Sequence, residues 1–297
     1  MIFNLKQYLK DKQSLINTSL KQTWLTHDQI QPDVLFEAMN YSLSAPGKRI
    51  RPVLIFACAE VLDMPVNDVM PMAAALEMIH VFSLIHDDLP AMDDDDLRRG
   101  QPTNHKVYGE AVAILAGDAL LSHAFSVLTK LDQSKYKSEN IITVINTFAQ
   151  ATGMPGMITG QVLDIKSENK KISLEELKNL HAHKTGALIR LACTTPAILK
   201  GADENTVKQF EDYGKAIGLA FQIVDDILDI VGGEDLGKPI GSDQEKNKST
   251  YPSLLGLDGA KKEAQNALNQ ALDALSGFGE EAEPLRALAR YIVERSH

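Results

Sequence analysis

The chain is poor in the residues that build covalent or metal-bound scaffolds. Only two cysteines occur in 297 residues, Cys58 and Cys193, far apart and in apolar surroundings. Buried free thiols fit that usage better than a disulfide or a Cys/His metal set. His181 and His183 do not alter this, because residues two apart on a helix point away from each other. No run reads as long enough to cross a bilayer, and residues 1–10 lack the apolar stretch of a secretory signal. The expectation is a reducing cytoplasm and no membrane insertion. The formal net charge of −10 argues against nucleic acid, whose phosphates need a basic face. Alternating strand patterns are also missing. With 44% hydrophobic and 24% charged residues, the chain can bury a sizeable core, and one large helical domain spanning 1–297 is expected.

Against that background one stretch stands out. Asp87-Asp88-Leu89-Pro90-Ala91-Met92-Asp93-Asp94-Asp95-Asp96 is followed at once by Leu97-Arg98-Arg99-Gly100. Asp225, Asp226 and Asp229 recur further on, within an apolar segment. Like charges at i,i+4 on a helix repel, and carboxylates on an apolar helix are costly to bury without a positive partner. An all-oxygen donor set favours Mg²⁺, which takes one or two carboxylates and completes its shell with water and phosphate oxygens. The pattern therefore implies a phosphorylated ligand. On a straight helix Asp87 and Asp93 would point about 120° apart at about 100° per residue, but Pro90 breaks the helix and lets Asp93 fold back. Asp95 and Asp96 read equally well as a solvated acidic loop.

Helical periodicity runs from end to end. Two amphipathic helices are expected between about Asn4 and Ser42, the second opened by Gln31-Pro32. An apolar helix follows from Arg51-Pro52 to about Leu62, then one from Asn67 to Asp88, capped by Asn67 or Asp68. A long helix from about Lys106 to Lys130 is expected to tolerate Gly109 and Gly117 and to be central or at a subunit contact. Residues 153–157 interrupt the pattern, and Ser173-Leu174-Glu175-Glu176 reads as a capping box. The second aspartate helix spans about Glu204 to Val231, stopped by Gly232-Gly233. A Gly- and Lys-rich loop with Lys238, Lys246 and Lys248 reads either as plain surface or as a lid over phosphate. Helices at about 251–275 and 283–295 complete the chain. His80 and Ser83 lie on a polar stripe leading to Asp87; a lone histidine there is usually a hydrogen-bonded core residue.

Taken together, these residues resemble the trans-prenyl diphosphate synthase family of the bacterial short-chain type, most of all those members that make farnesyl diphosphate. The resemblance rests on Gly47-Lys48-Arg49-Ile50-Arg51-Pro52, the first aspartate motif with Arg98-Arg99-Gly100, and Gly117-Asp118. It continues through Gly160-Gln161 with Asp164, Lys184-Thr185-Gly186, Gln222 to Asp229, Gly237-Lys238 and Lys248 to Pro252. It covers nearly the whole chain. The family implies an all-α, single-domain bundle of antiparallel helices around a deep central cavity, usually a homodimer, with both aspartate motifs at the cavity mouth. It also implies Mg²⁺-dependent ionisation of an allylic diphosphate and attack on the cation by isopentenyl diphosphate. Asp87, Asp93 and Asp225 would be the principal metal ligands, with Asp88 and Asp229 supporting. Lys48, Arg51, His80 and Arg99 would hold isopentenyl diphosphate beside Gly47. Arg98, Lys184, Thr185, Gln222, Lys238 and Lys248 would contact the allylic diphosphate. Phe82, where tyrosine is common in farnesyl-forming relatives, and Ser83 would set product length. Pro46 and Thr159 depart from the usual glycines.

Three alternatives follow from the same residues. The chemistry could stop at geranyl or continue to geranylgeranyl diphosphate. A non-catalytic partner subunit would be expected to have lost aspartates, which this chain keeps. A single-substrate cyclase has no need of the separate anion site at Lys48, Arg51, His80 and Arg99.

Overall fold

A computed structural model of the chain describes residues 3–21, 32–231 and 248–294. Among the described residues the protein is all-α apart from one minimal hairpin. Its helices are α1 (Leu5–Ser19), α2 (Asp33–Leu43), α3 (Ile50–Val61), α4 (Met70–Asp87), α5 (Asn104–Tyr108), α6 (Glu110–Leu128) and α7 (Ser138–Thr152). They continue as α8 (Met157–Ser167), α9 (Leu174–Lys184), α10 (Gly186–Lys200), α11 (Glu204–Val231), α12 (Tyr251–Ala274) and α13 (Glu283–Glu294). Strands β1 (Leu97–Arg98) and β2 (Gln101–Pro102) pair antiparallel. The described residues fall into two compact units. The N-terminal unit holds residues 6–21, 32–56 and 65–136; the C-terminal unit holds 3–5, 57–64, 137–231 and 248–294.

In the N-terminal unit α4 is the core helix, with Met72 to Ile79 without exception buried. Met72, Leu76, Met78 and Ile79 each contribute roughly 1.5–3 kcal/mol on burial. Gly117 lets α6 pack on α4: a Cβ there would overlap the His86 imidazole, whose Nε2 lies 3.1 Å from the Ile114 carbonyl oxygen. The outer side of α6 stays apolar and open, with Ile114 43% and Leu115 58% exposed. In the C-terminal unit α10 crosses α11 at glycines. A Cβ at Gly218 would press on Gly186, and one at Gly214 on the Arg190 backbone. Cys58 and Cys193 are free and buried here; burial, then the neighbouring Cys193 thiol, pushes Cys58 well above the ordinary thiol range. Ile223, Val224, Ile227 and Tyr251 belong to the core between α11 and α12.

Several sequence expectations are corrected. The helix expected from Lys106 to Lys130 is two helices, because Gly109 takes φ +82° and separates α5 from α6. A hairpin occurs where no strand was read; two residues per strand are too short for alternation to register. Neither Asn67 nor Asp68 caps α4, which is led by a 3₁₀ turn at Val66–Val69. The Asp68 carboxylate instead accepts from Lys135 and Tyr136. Two segments, 66–87 and Glu110–Leu128, do have the length and mean hydropathy (1.5 and 1.7) of a bilayer-crossing helix. In the first, 78% of the window is buried inside the protein, as a core helix should be. The Ser173 capping box is present, with Glu176 N–H donating to Ser173 Oγ at 3.2 Å and Ser173 N–H to Glu176 Oε2 at 2.8 Å. The helix α11 has the expected bounds. Gln31, Gly232-Gly233, Gly237, Lys238, Lys246 and Arg295 lie outside the described residues.

Candidate active site

In the N-terminal unit the site grows from the end of α4. The helix stops at Asp87, and the backbone N–H of Asp93 donates to the Asp87 carbonyl at 2.9 Å. Across Pro90 the chain has thus folded back on the helix end. Asp87 and Asp93 are half-buried, whereas Asp88 is only 3% exposed. One Asp88 oxygen, Oδ1, accepts from Arg98 Nε at 2.6 Å and lies 2.5 Å from Nη2. Asp88 therefore holds Arg98 in place. Asp95 also takes Arg98, at 3.3 Å, and Asp96 takes Lys106, at 2.7 Å, so these two carboxylates fasten the loop.

The hairpin turn is made by Arg99 and Gly100, both with positive φ (+54° and +76°). That conformation matches the twist of paired strands but is uncommon for a residue with a side chain. It is secured by Tyr41, whose hydroxyl donates to the Pro102 carbonyl at 2.8 Å, and by Arg99 Nη1, which donates to the Pro46 carbonyl at 2.7 Å. A Cβ at Gly47 would overlap the Arg99 guanidinium. Gly47 is thus a steric requirement for Arg99, and Pro46, the departure noted above, supplies the carbonyl that fixes it.

Between Lys48 and Arg51 stands Arg49, which points into the protein. It is 5% exposed, with φ +50°. Its Nη1 meets Glu77 Oε1 at 2.5 Å, its Nη2 donates to the Leu43 and Ala45 carbonyls, and its Nε donates to Asn17. This buried pair pins the loop before α3 to the core of α4. Lys48 is exposed, while Arg51 Nη1 lies 3.2 Å from His80 Nε2. Burial, then Arg51 and Arg99, holds His80 well below the usual imidazole range. The ring is neutral, and since arginine only donates, its Nε2 accepts. Phe82 is 7% exposed and packs edge-on against His86 at 4.9 Å. The Ser83 hydroxyl donates back to the His80 carbonyl at 2.8 Å.

In the C-terminal unit Asp225 and Asp229 share one half-buried face of α11, as i,i+4 spacing requires. Asp226 faces the other way and is 2% exposed, accepting from Gln222 Nε2 at 3.0 Å and from the Tyr251 N–H at 2.9 Å. Thr185 donates to Gln222 at 3.0 Å. The chain Thr185–Gln222–Asp226–Tyr251 therefore ties the α9–α10 junction and the start of α12 to the aspartate helix. Lys184 and Lys248 both reach Asp164. Sequence reasoning gave no role to Arg49, Glu77, Asp164, Asp226 or Tyr251. Only Glu77, a lone charge in the apolar run of α4, carried a local signal. Among the described residues, no group of three or more His, Cys, Asp or Glu side chains is gathered as a metal cluster.

His181, whose Nδ1 is buried without a hydrogen-bond partner, is lowered from 6.5 to about 3, chiefly by burial. Its neutral form is favoured by folding. Above pH 6.5 neither state takes the proton, and below it only the unfolded chain does. Stability is therefore full above about 6.5 and falls as pH drops toward about 3, by up to roughly 1.4 kcal/mol per pH unit. His181→Gln is expected to flatten the thermal-unfolding midpoint between about pH 6.5 and 4; a slope equal to that of the unaltered protein would contradict this.

Residues 32–289 match the family model described as Polyprenyl synthetase. The chain is 42% identical over 296 residues to a farnesyl diphosphate synthase of Geobacillus stearothermophilus, covering 99% of each. It is 43% identical over 297 residues to a geranylgeranyl diphosphate synthase of Cyanophora paradoxa, covering 99% of this chain and 98% of that one. A crystal structure described as an FPP/GFPP synthase from Zymomonas mobilis, in its apo form, superposes with a TM-score of 0.87 at 36% identity, covering 99% of this chain and all of that one. With the fold, the aspartate and basic motifs and the full-length match in agreement, the chain belongs to the polyprenyl synthetase family and is a trans-prenyl diphosphate synthase, a prenyltransferase.

Proposed function

We propose that the enzyme condenses dimethylallyl and then geranyl diphosphate head-to-tail with isopentenyl diphosphate, giving (E,E)-farnesyl diphosphate and pyrophosphate. The observation that carries this reading is the division of labour among the charged groups. Asp88 and Asp226 are buried with protein partners, while Asp87, Asp93, Asp225 and Asp229 stand half-buried. The two carboxylates in each unit are oxygen donors of the kind Mg²⁺ takes, which when bound would neutralise charge on a departing diphosphate. Asp88 supports from behind by holding Arg98. Arg98, Lys184, Thr185, Gln222, Lys238 and Lys248 would bind the allylic diphosphate, and Lys48, Arg51, Arg99 and neutral His80 the isopentenyl diphosphate. Arginine forks and lysine point charges both suit phosphate oxygens. The allylic C–O bond breaks with its electron pair leaving on the diphosphate. The isopentenyl double bond then attacks the cation, and the released diphosphate takes the proton.

Bulk at Phe82 supports a C15 limit, and relatives named for farnesyl products at 42–46% identity agree with it. Relatives of similar identity named for geranylgeranyl products keep the longer chain as the second reading. The exposed Ile114 and Leu115 on α6 support pairing of two copies. The test is chromatography of products from dimethylallyl diphosphate, isopentenyl diphosphate and Mg²⁺. A C15 product is expected; a C20 or C10 product would replace the reading. Phe82→Ala is expected to shift the main product to C20 or longer, and an unchanged product would remove Phe82 from chain-length control.

A further inference from the structure

The two arginines of the hairpin are fastened to different helices. Asp88, just past the end of α4, holds Arg98 through Nε at 2.6 Å and Nη2 at 2.5 Å, and Asp95 adds a contact at 3.3 Å. Arg99 is held from α2 instead. Its Nη1 donates to the carbonyl of Pro46, in the loop that follows α2, and its guanidinium lies where a Cβ on Gly47 would be. The second strand is docked on the last turn of α2 itself. The Tyr41 hydroxyl donates to the Pro102 carbonyl at 2.8 Å across 61 residues of sequence. Asn104, 2% exposed, donates through Nδ2 to the Ala38 carbonyl and to Ser42 Oγ, each at 2.8 Å.

Packing does little of this holding. An open cleft of about 400 Å³ lies between the hairpin, α2 and α4, with Tyr41, Ala45, Leu84, Ile85, Arg98 and Arg99 in its lining. Arg99 also keeps φ +54°, a conformation uncommon for a residue with a side chain. A few directed bonds therefore decide where its guanidinium stands. Tyr41 makes the one nearest the turn on the second strand, at Pro102, which pairs with Leu97. We propose that Tyr41 is a positioning residue for isopentenyl diphosphate: by holding Pro102 it fixes the Arg99 turn against Pro46 and Gly47, while Arg98 keeps its place on α4 without it. The inference rests on the prenyl-transfer reading for the substrate that Arg99 meets, and it assigns a role to a tyrosine outside every motif named above.

Tyr41→Phe keeps the ring and its edge-on contact with Tyr108, 5.7 Å between centroids, and removes only the donor. KM for isopentenyl diphosphate is expected to rise roughly 3–10-fold, the effect of one neutral hydrogen bond. Both kcat and KM for geranyl diphosphate should stay within about twofold of the unaltered enzyme. In an Arg99→Ala background the same change should add no further rise, because the group it positions is gone. An unchanged KM for isopentenyl diphosphate, equal rises for both substrates, or a full further rise in Arg99→Ala would overturn the proposal. A lower thermal-unfolding midpoint with both KM values unaltered would also overturn it, since the bond would then serve the fold alone. Arginine side-chain ¹⁵N NMR reads the position without turnover: the Arg99 Nε resonance should move in Tyr41→Phe and that of Arg98 should not. An unaltered enzyme whose turnover does not depend on isopentenyl diphosphate would defeat the functional reading. Even then, an Arg99 resonance that moves alone supports the positioning, and one that stays in place overturns it.

Discussion

Asp225→Asn is expected to lower kcat by roughly 10³-fold while leaving thermal stability unchanged or slightly raised. The rate effect follows from removing a carboxylate whose negative charge would hold Mg²⁺ against the diphosphate, where a single preorganised electrostatic contact is worth about 10²–10³-fold. The stability effect has the opposite sign from the usual one for a half-buried residue. Asp225 and Asp229 stand four apart on one face of α11, and like charges at that spacing destabilise the helix. Its neighbour behaves differently. Asp226 is 2% exposed and accepts from Gln222 and from the Tyr251 N–H, so Asp226→Ala should lower stability first, by leaving buried donors unsatisfied. Steady-state kinetics beside thermal unfolding separate the two. An Asp225→Asn enzyme with the original kcat would remove Asp225 from the catalytic set.

The second large effect is on the fold. Arg49→Ala is expected to cost about 3–5 kcal/mol, because it leaves Glu77 charged and unpaired at 1% exposure. It also strips the Leu43 and Ala45 carbonyls and Asn17 of a donor. Urea denaturation measures this directly. The double change Arg49→Met with Glu77→Leu should recover most of the loss, since a buried ion pair is often replaceable by apolar groups of similar volume. A single change costing under about 1 kcal/mol would mean that the pair contributes no more than a surface salt bridge.

Arg49 also shows where the sequence misleads. Within Gly47-Lys48-Arg49-Ile50-Arg51 three cations look like one anion site, and nothing local tells the buried one from the others. Its partner is 28 residues away, so only tertiary packing reveals that Arg49 holds the loop. The same holds for Asp88 against Asp87 and for Asp226 against Asp225. Each aspartate pair splits into a buried and a half-buried member because adjacent helical residues point about 100° apart, and the sequence does not say which direction is inward. Asp164 sat in a motif without a role because the lysines it joins are distant in the chain.

What the sequence does carry is local. The capping box at Ser173, the Pro32 start of α2 and the full run of α11 depend on contacts within a turn or two, and they are found as expected. Gly109 was misread because a glycine inside an apolar helix and a glycine between two helices look alike until φ is known. The Arg99 turn was missed because a positive φ at arginine is uncommon and is sustained here by Tyr41, Pro46 and Gly47 from outside the turn.

The most direct test of the account is the dependence of pyrophosphate release on isopentenyl diphosphate, with geranyl diphosphate and Mg²⁺ held in excess. The account predicts release that saturates with isopentenyl diphosphate, matches the farnesyl diphosphate formed mole for mole and stops when the metal is chelated. Release at full rate without isopentenyl diphosphate, or none with both substrates and metal present, would contradict it.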